Sequence, residues 1–294
     1  MFLWSKQCLR KRGNLIFYKE EHGVMRKILF TDLDGTLLKN DKTVSDKNRQ
    51  AIRRMLEAGH YVVVTTGRPV KSGFSVVKSL GLTMPGCYMI AFNGAVIYDC
   101  ARECVVAERT LSMENVRYLL DEANRYGIYI QSYGEEALVT RRECPELEFY
   151  RKMTGMPYQL AEDVAEALGR EPHKVLLVSL TNRERLEQFQ QDHMAWQQGR
   201  CNSFFSCREY LEYCPLNTDK GSGIRMLTEY LGLRMEDTYA VGDEGNDIPM
   251  LRAAGMGIAM KNGVEEAKQA ADYITENDNE HDGVAEIIEK FILV

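Results

Sequence analysis

Apolar residues come in short, dense runs that each stop at a small polar cluster. Ile28, Leu29 and Phe30 make the first run, which closes at Asp32-Leu33-Asp34-Gly35-Thr36. Tyr61 to Val64 makes the second, closing at Thr65-Thr66-Gly67-Arg68-Pro69, and Tyr88 to Phe92 the third, closing at Asn93-Gly94. Runs of this length, rich in β-branched and aromatic residues and ended by turn formers, read as buried strands. Between the first two lies a helical pattern, with Ser45 as N-cap, Ile52, Met55 and Leu56 on one face and Gly59 just past the end. A second helix is expected near residues 70–80. Alternation of strand and helix predicts a parallel sheet with both faces covered.

After about residue 110 the texture changes. Ser112 caps a helix carrying Val116, Leu119, Leu120 and Ala123, stopped by Gly127. Short strands are expected at 128–132 and 137–140, helices near 145–154 and 161–168, and the apolar strand Val175–Leu180 before a helix around 182–198. Two further short strands lie near 202–206 and 209–213. The βα rhythm returns from Asp219, with a helix from Ile224 to Leu231 and the strand Thr238–Val241, closing at Gly242-Asp243-Glu244-Gly245-Asn246-Asp247. A helix, the strand Gly257–Met260, a helix at 264–271, the strand Asp272–Thr275 and a helix from Gly283 complete the pattern. The fold class expected is α/β, a doubly wound, mostly parallel sheet interrupted by an inserted α+β module. The expected boundaries are 25–110 and 215–294 for the core, 111–214 for the insert, and 1–24 for an extension outside the fold.

The chain has 294 residues, 45% hydrophobic and 27% charged, which suits a soluble globular protein with a real core. A formal net charge of −6 argues against nucleic acid or an anionic membrane as the main partner. No apolar run approaches the roughly 18 residues needed to span a bilayer. Residues 1–24 carry five basic residues against two acidic ones, in contrast to the acidic remainder of the chain. Their apolar stretches, Leu3-Trp4 and Leu15 to Tyr18, are too short for a signal peptide, and Met25-Arg26-Lys27 leads directly into the first strand, so Met25 is the expected natural start. Eight cysteines show no C-x-x-C pair and no zinc-type spacing to the five histidines, so reduced thiols in a cytoplasmic protein are expected.

Asp32 and Asp34 fall at the carboxyl end of the first strand, where open α/β sheets place their ligands. Asp243 falls at an equivalent end. Carboxylates about 4 Å apart repel by roughly 4 kcal/mol at an effective dielectric of 20. A hard divalent cation relieves that repulsion, and all-oxygen ligands with open positions suit Mg²⁺ better than Zn²⁺. Lys220, just ahead of a helix, and Thr66, with a hydroxyl and backbone N–H groups, add anion-binding character. The sum is a phosphoryl site.

The set D-L-D-G-T-L-L, T-T-G-R, F-N-G-A, D-K-G and G-D-E-G-N-D-I-P-M-L, in this order, resembles the haloacid dehalogenase superfamily of phosphatases. It is most similar to the Cof-type group, whose α/β cap lies between the T-G-R and D-K-G motifs. The resemblance covers roughly residues 26–294, weakly in the insert, and implies a Rossmann-like core. It also implies that Asp32 is the nucleophile that takes the phosphoryl group as an aspartyl-phosphate. Asp34 would protonate the leaving oxygen and then deprotonate the hydrolytic water, which asks for a raised carboxyl pKa. Thr66 would bind a phosphoryl oxygen and Lys220 would offset charge. Asp243 would ligate Mg²⁺ with Asp32 and the backbone carbonyl of Asp34, with Asn246 and Asp247 supporting the shell. Gly67, Arg68 and Asn93 are softer candidates for substrate binding.

Alternatives stay open at this point. Thr66-Gly67 also fits a plain strand-end turn, Lys220 a solvated lysine, Asn93 a left-handed turn before Gly94, and the 242–247 cluster an Asx-rich or calcium loop. In the insert, Arg141, Arg142, Lys152, Lys174, Arg200 and Arg208 either contact an anionic substrate or face solvent, while Tyr129, Tyr133, Tyr158, Phe204 and Phe205 suit its core. The expected activity is Mg²⁺-dependent hydrolysis of phosphomonoesters of small metabolites, sugar phosphates first, then nucleotides or flavin mononucleotide. A phosphomutase, a non-turning-over phospho-ligand sensor and a dehalogenase are the rivals. The expected partner is the small phosphorylated metabolite alone, with no nucleic acid or membrane, and the chain is expected as a monomer or weak homodimer.

Overall fold

The computed structural model describes Leu3–Trp4 and residues 26–294. Apart from Leu3–Trp4, the expected N-terminal extension lies outside the described residues, and so does the expected start at Met25. Leu3–Trp4 (β1) pairs antiparallel with a later strand, Leu3 opposite Glu108 and Trp4 opposite Ala107.

The first fully buried run forms β2 (Ile28–Thr31). Helix α1 (Asp46–Glu57) follows, its N-cap Ser45 accepting from the Asn48 amide, and turns its apolar stripe of Ala51, Ile52 and Met55 inward. Next come β3 (Tyr61–Thr65), α2 (Val70–Ser79) and β4 (Cys87–Ala91). Two strands that the apolar pattern did not foretell, β5 (Val96–Asp99) and β6 (Cys104–Glu108), then extend the sheet as an antiparallel hairpin.

The insert follows as α3 (Met113–Arg125), β7 (Tyr129–Tyr133), β8 (Leu138–Thr140), α4 (Pro145–Thr154), β9 (Tyr158–Leu160), α5 (Val164–Leu168), β10 (Val175–Val178), α6 (Arg183–Gln197), β11 (Cys201–Cys207) and β12 (Tyr210–Pro215). The chain then re-enters the large sheet through α7 (Lys220–Leu231), β13 (Thr238–Gly242), α8 (Ile248–Ala253), β14 (Met256–Ala259), α9 (Glu265–Ala270), β15 (Tyr273–Ile274) and α10 (Gly283–Ile287).

The described residues divide into two compact units, one of Arg68–Ser72 with Arg109–Thr218 and one holding the rest. The larger unit is a nine-stranded sheet in the order β1-β6-β5-β4-β3-β2-β13-β14-β15. Strands β4, β3, β2, β13, β14 and β15 run parallel, so their carboxyl ends lie along one edge. The strand order reverses beside β2, the position where such sheets bind ligands. Ile28, Phe30, Val63, Ile90 and Ala240 pack on Ile224, Leu227, Met250 and Leu251 from one face. Their alternating neighbours Leu29, Val62 and Val64 point to the other face and are equally buried.

The smaller unit is a six-stranded sheet in the order β11-β12-β10-β7-β8-β9, antiparallel except for β8 and β9. One face packs Ile130, Val139, Val175, Leu177, Leu211 and Tyr213 against Val116, Leu119, Leu120, Leu186 and Phe189 of its helices. Among the basic residues singled out in this region, Lys174 is neither solvated nor available to a substrate. It is buried and its ammonium sits 2.9 Å from the Glu212 carboxylate. Tyr129 and Tyr133 belong to the buried set, and Phe205 packs against its edge. No disulfide joins the described cysteines, and Cys87, Cys100, Cys104, Cys201 and Cys214 are buried. Among the described residues, no helix is long and apolar enough to cross a membrane.

Candidate active site

Four strand-end loops of the larger unit build one buried cluster. The chain leaves β2 at Asp32, whose amide donates to the Val241 carbonyl at 2.9 Å and so ties the acid to β13. Gly35 turns the loop with φ +83°, and a Cβ there would collide with the Asp243 carboxylate. Thr36, which no motif argument singles out, donates its hydroxyl to Asp243 Oδ1 at 2.6 Å. These contacts bring the first and last motifs together across about two hundred residues.

Lys220 opens α7 and is almost wholly buried, which removes the solvated-lysine alternative. The helix begins four residues earlier than the apolar pattern suggests because Asp219 caps it, accepting from the Ser222 amide at 2.6 Å in a capping box. The ammonium donates to Asp32 Oδ1 and Asp247 Oδ1, both at 2.5 Å. Asp247 Oδ2 in turn accepts from the amides of Asp243 at 2.9 Å and Glu244 at 3.0 Å. Asp247 is therefore the brace of its own loop as well as a counter-charge to Lys220.

At the second and third strand ends, the Thr66 amide donates to Ile90 and the Thr66 carbonyl accepts from Asn93. Thr66's own N–H is thus committed to the sheet, and what Thr66 itself can offer an anion is its hydroxyl. Asn93 does adopt the left-handed turn, at φ 53° and ψ 38°, and its Oδ1 also accepts from Asn246 Nδ2 at 3.2 Å. Gly94 follows at φ +104°, where any side chain would strike the Asp219 backbone. Gly67 lies beside Asn93, while Arg68 opens the stretch that groups with the smaller unit. Asp34 has a different neighbour from the other acids. Its carboxylate is half-exposed and accepts from Lys42 Nζ at 2.9 Å.

One oxygen each from Asp32, Asp243 and Asp247 lies within 4.8 Å of the others. Burial raises the Asp32 carboxyl well above the ordinary range, with Asp247 and Asp243 adding to the push and Lys220 opposing it. Burial likewise pushes Asp243 up to about 7, against the hydrogen bond from Thr36. Lys220 is desolvated too, but Asp247 and Asp32 outweigh that penalty and hold its pKa above the usual value. With all groups ionised, three carboxylates face one ammonium, and two negative charges stay uncompensated in a buried site. Such an all-oxygen cluster fits a hard divalent cation.

A family model for haloacid dehalogenase-like hydrolases matches residues 29–288. The Bacillus subtilis protein YitU, a 5-amino-6-(5-phospho-D-ribitylamino)uracil phosphatase, is 30% identical over 278 residues, covering 90% of this chain and 97% of that protein. The B. subtilis phosphatase YwpJ is 30% identical over 294 residues, covering 90% of this chain and all of that protein. A crystal structure of a haloacid dehalogenase-like hydrolase from Bacteroides thetaiotaomicron superposes with a TM-score of 0.83 at 31% identity, covering 91% of this chain and 100% of that one.

Proposed function

The chain belongs to the haloacid dehalogenase-like hydrolases, as a Cof-type phosphatase of small metabolites, and from that premise we propose a Mg²⁺-dependent phosphomonoesterase working through an aspartyl-phosphate. The observation that carries this reading is the buried cluster in which Asp32, held by Lys220, shares a space with Asp243 and Asp247. Asp32, Asp243 and the backbone carbonyl of Asp34 would hold the cation, with Asn246 and Asp247 supporting them. Bound there, Mg²⁺ supplies charge neutralisation for the acids and for the phosphoryl group.

Asp32 attacks phosphorus with the carboxylate oxygen not engaged by Lys220, and the ester P–O bond breaks. Asp34 gives its proton to the departing alkoxide. It then takes a proton from the water that attacks the acyl phosphate, so that inorganic phosphate leaves and Asp32 is restored. The Thr66 hydroxyl holds a phosphoryl oxygen, and Gly67, Arg68 and Asn93 contribute to substrate binding. Lys220 orients the nucleophile and lowers the electrostatic cost of bringing a dianion beside it. Positioning and charge stabilisation suffice for this chemistry.

The inserted unit is proposed as the specificity cap. YitU is named for an ester on a ribityl chain, and a phosphate on a polyhydroxylated carbon chain is also what defines a sugar phosphate. Substrates of that chemistry are therefore proposed. Purified protein with Mg²⁺ should release inorganic phosphate from members of a panel of hexose phosphates, pentose phosphates, phosphoribityl compounds and nucleotides. Silence across the whole panel would overturn the reading. Isomer formation exceeding phosphate release would turn it into a mutase.

A further inference from the structure

Lys42 lies eight residues beyond Asp34, on the loop between the Gly35 turn and α1, and its backbone is left-handed at φ 65°. That conformation is uncommon for a residue with a side chain and persists only where the surroundings dictate it. Here they do. The Lys42 amide donates to Lys39 and the Lys39 amide to Thr43, each at 2.9 Å. Asp41 Oδ1 accepts from the Thr43 amide at 2.9 Å and from its hydroxyl at 2.6 Å. Glu280 holds the other flank, taking the Asn40 amide at 2.6 Å and facing the Lys39 ammonium at 3.6 Å. Val44 is buried beneath.

What this braced loop presents is an ammonium 2.9 Å from Asp34 Oδ1, with side chains 50% and 39% exposed. An ion pair that open to water adds little to stability. A tethered, left-handed backbone that holds out an ion pair of so little worth to stability points to a different use for the pair.

We propose that Lys42 is a positioning residue for the reaction: its ammonium donates to Oδ1 of Asp34, so that Oδ2 carries the proton toward the leaving oxygen, and the carboxylate that the ammonium favours is then in place for the hydrolytic water. The inference rests on the reading of Asp34 as proton donor. It explains why Asp34 stands apart from the three clustered acids, since a carboxyl enlisted in the metal cluster could not turn toward the departing group.

The test is a comparison of leaving groups. A p-nitrophenolate departs with little help from a proton, whereas an alkoxide needs one. Lys42→Met, which keeps most of the aliphatic stem and the backbone demands, should lower kcat/KM, which reads formation of the aspartyl-phosphate and not its hydrolysis, roughly tenfold on the best alkyl ester of the panel and by less than about twofold on p-nitrophenyl phosphate. The melting temperature should stay within a few degrees, and Lys42→Arg should restore most of the rate. In an Asp34→Asn background, Lys42→Met should add nothing. Equal losses on both esters, the same loss in the Asp34→Asn background, or no loss at all would overturn the assignment. If Asp34→Asn alone fails to discriminate between the esters, the fault lies in the role given to Asp34, and the inference falls with it.

Discussion

Each unit buries a cluster of charge, and the two clusters are composed in opposite ways. In the smaller unit Lys174 faces Glu212 one to one, with both side chains at most 3% exposed. Ser206 donates to Glu212 Oε1 at 2.6 Å, and the ammonium lies 5.2 Å from the centre of the Tyr133 ring. Burial works against the Lys174 charge, but Glu212, helped by Tyr150 and Cys214, outweighs it and holds the ammonium's pKa up. This cluster is closed. In the larger unit one ammonium faces three carboxylates, and two of those acids have pKa values raised by burial. A balanced buried pair is architecture; the unbalanced one has the composition of a site for a ligand of the opposite sign.

Removing the proposed nucleophile should separate the clusters most sharply. Asp32→Asn should abolish phosphate release, and survival of more than a few per cent of the rate would contradict the covalent route. Asp34→Asn should slow turnover of alkyl esters by roughly 10² to 10⁴, read as kcat with inorganic phosphate detection. In the closed cluster the effect should fall on stability instead. Glu212→Gln leaves Lys174 buried without a counter-charge and should cost about 3–5 kcal/mol in urea unfolding. Lys174→Met combined with Glu212→Leu should recover most of that loss. A Glu212→Gln variant as stable as the parent would show that the pair is not the closed unit described.

The smallest effect is a pH dependence with a definite sign. A carboxyl whose folded pKa is raised stabilises the fold below its unfolded value near 4 and withdraws that contribution as pH rises through the folded value. For Asp243 the folded value is about 7. In chelator, the melting temperature should therefore lose this contribution between about pH 4 and about pH 7 and level off above it. Asp243→Asn should flatten the slope, and saturating Mg²⁺ should remove it. A melting temperature indifferent to Mg²⁺ at the upper pH would break the contrast between the clusters.

The parallel strands and their polar ends were legible because each buried run stops at residues that cannot continue it, as Thr31 gives way to Asp32 and Val241 to Gly242-Asp243. The caps of α1 and α3 were equally plain, since Ser45 and Ser112 stand directly before an apolar stripe. The β5–β6 hairpin was not. Its strands hold four and five residues and follow a βαβ rhythm that leads one to expect a helix. Strand β9 is mostly solvent-facing and so lacks the alternation that marks a strand. The start of α7 was hidden because Lys220-Gly221-Ser222-Gly223 has poor helix propensity. The signal was present in Asp219 and Ser222, three residues apart. The Thr36 link to Asp243 and the turn of Asp34 toward Lys42 could not be read at all, because both depend on where the backbone goes after Gly35.

The central claim is that the three-to-one cluster needs a divalent cation before Asp32 can take a phosphoryl group. The most direct measurement is phosphate release from the best panel substrate in excess chelator, followed by titration with Mg²⁺. The rate should vanish in chelator and return fully as Mg²⁺ exceeds it, whereas hydrolysis continuing undiminished in chelator would contradict the claim.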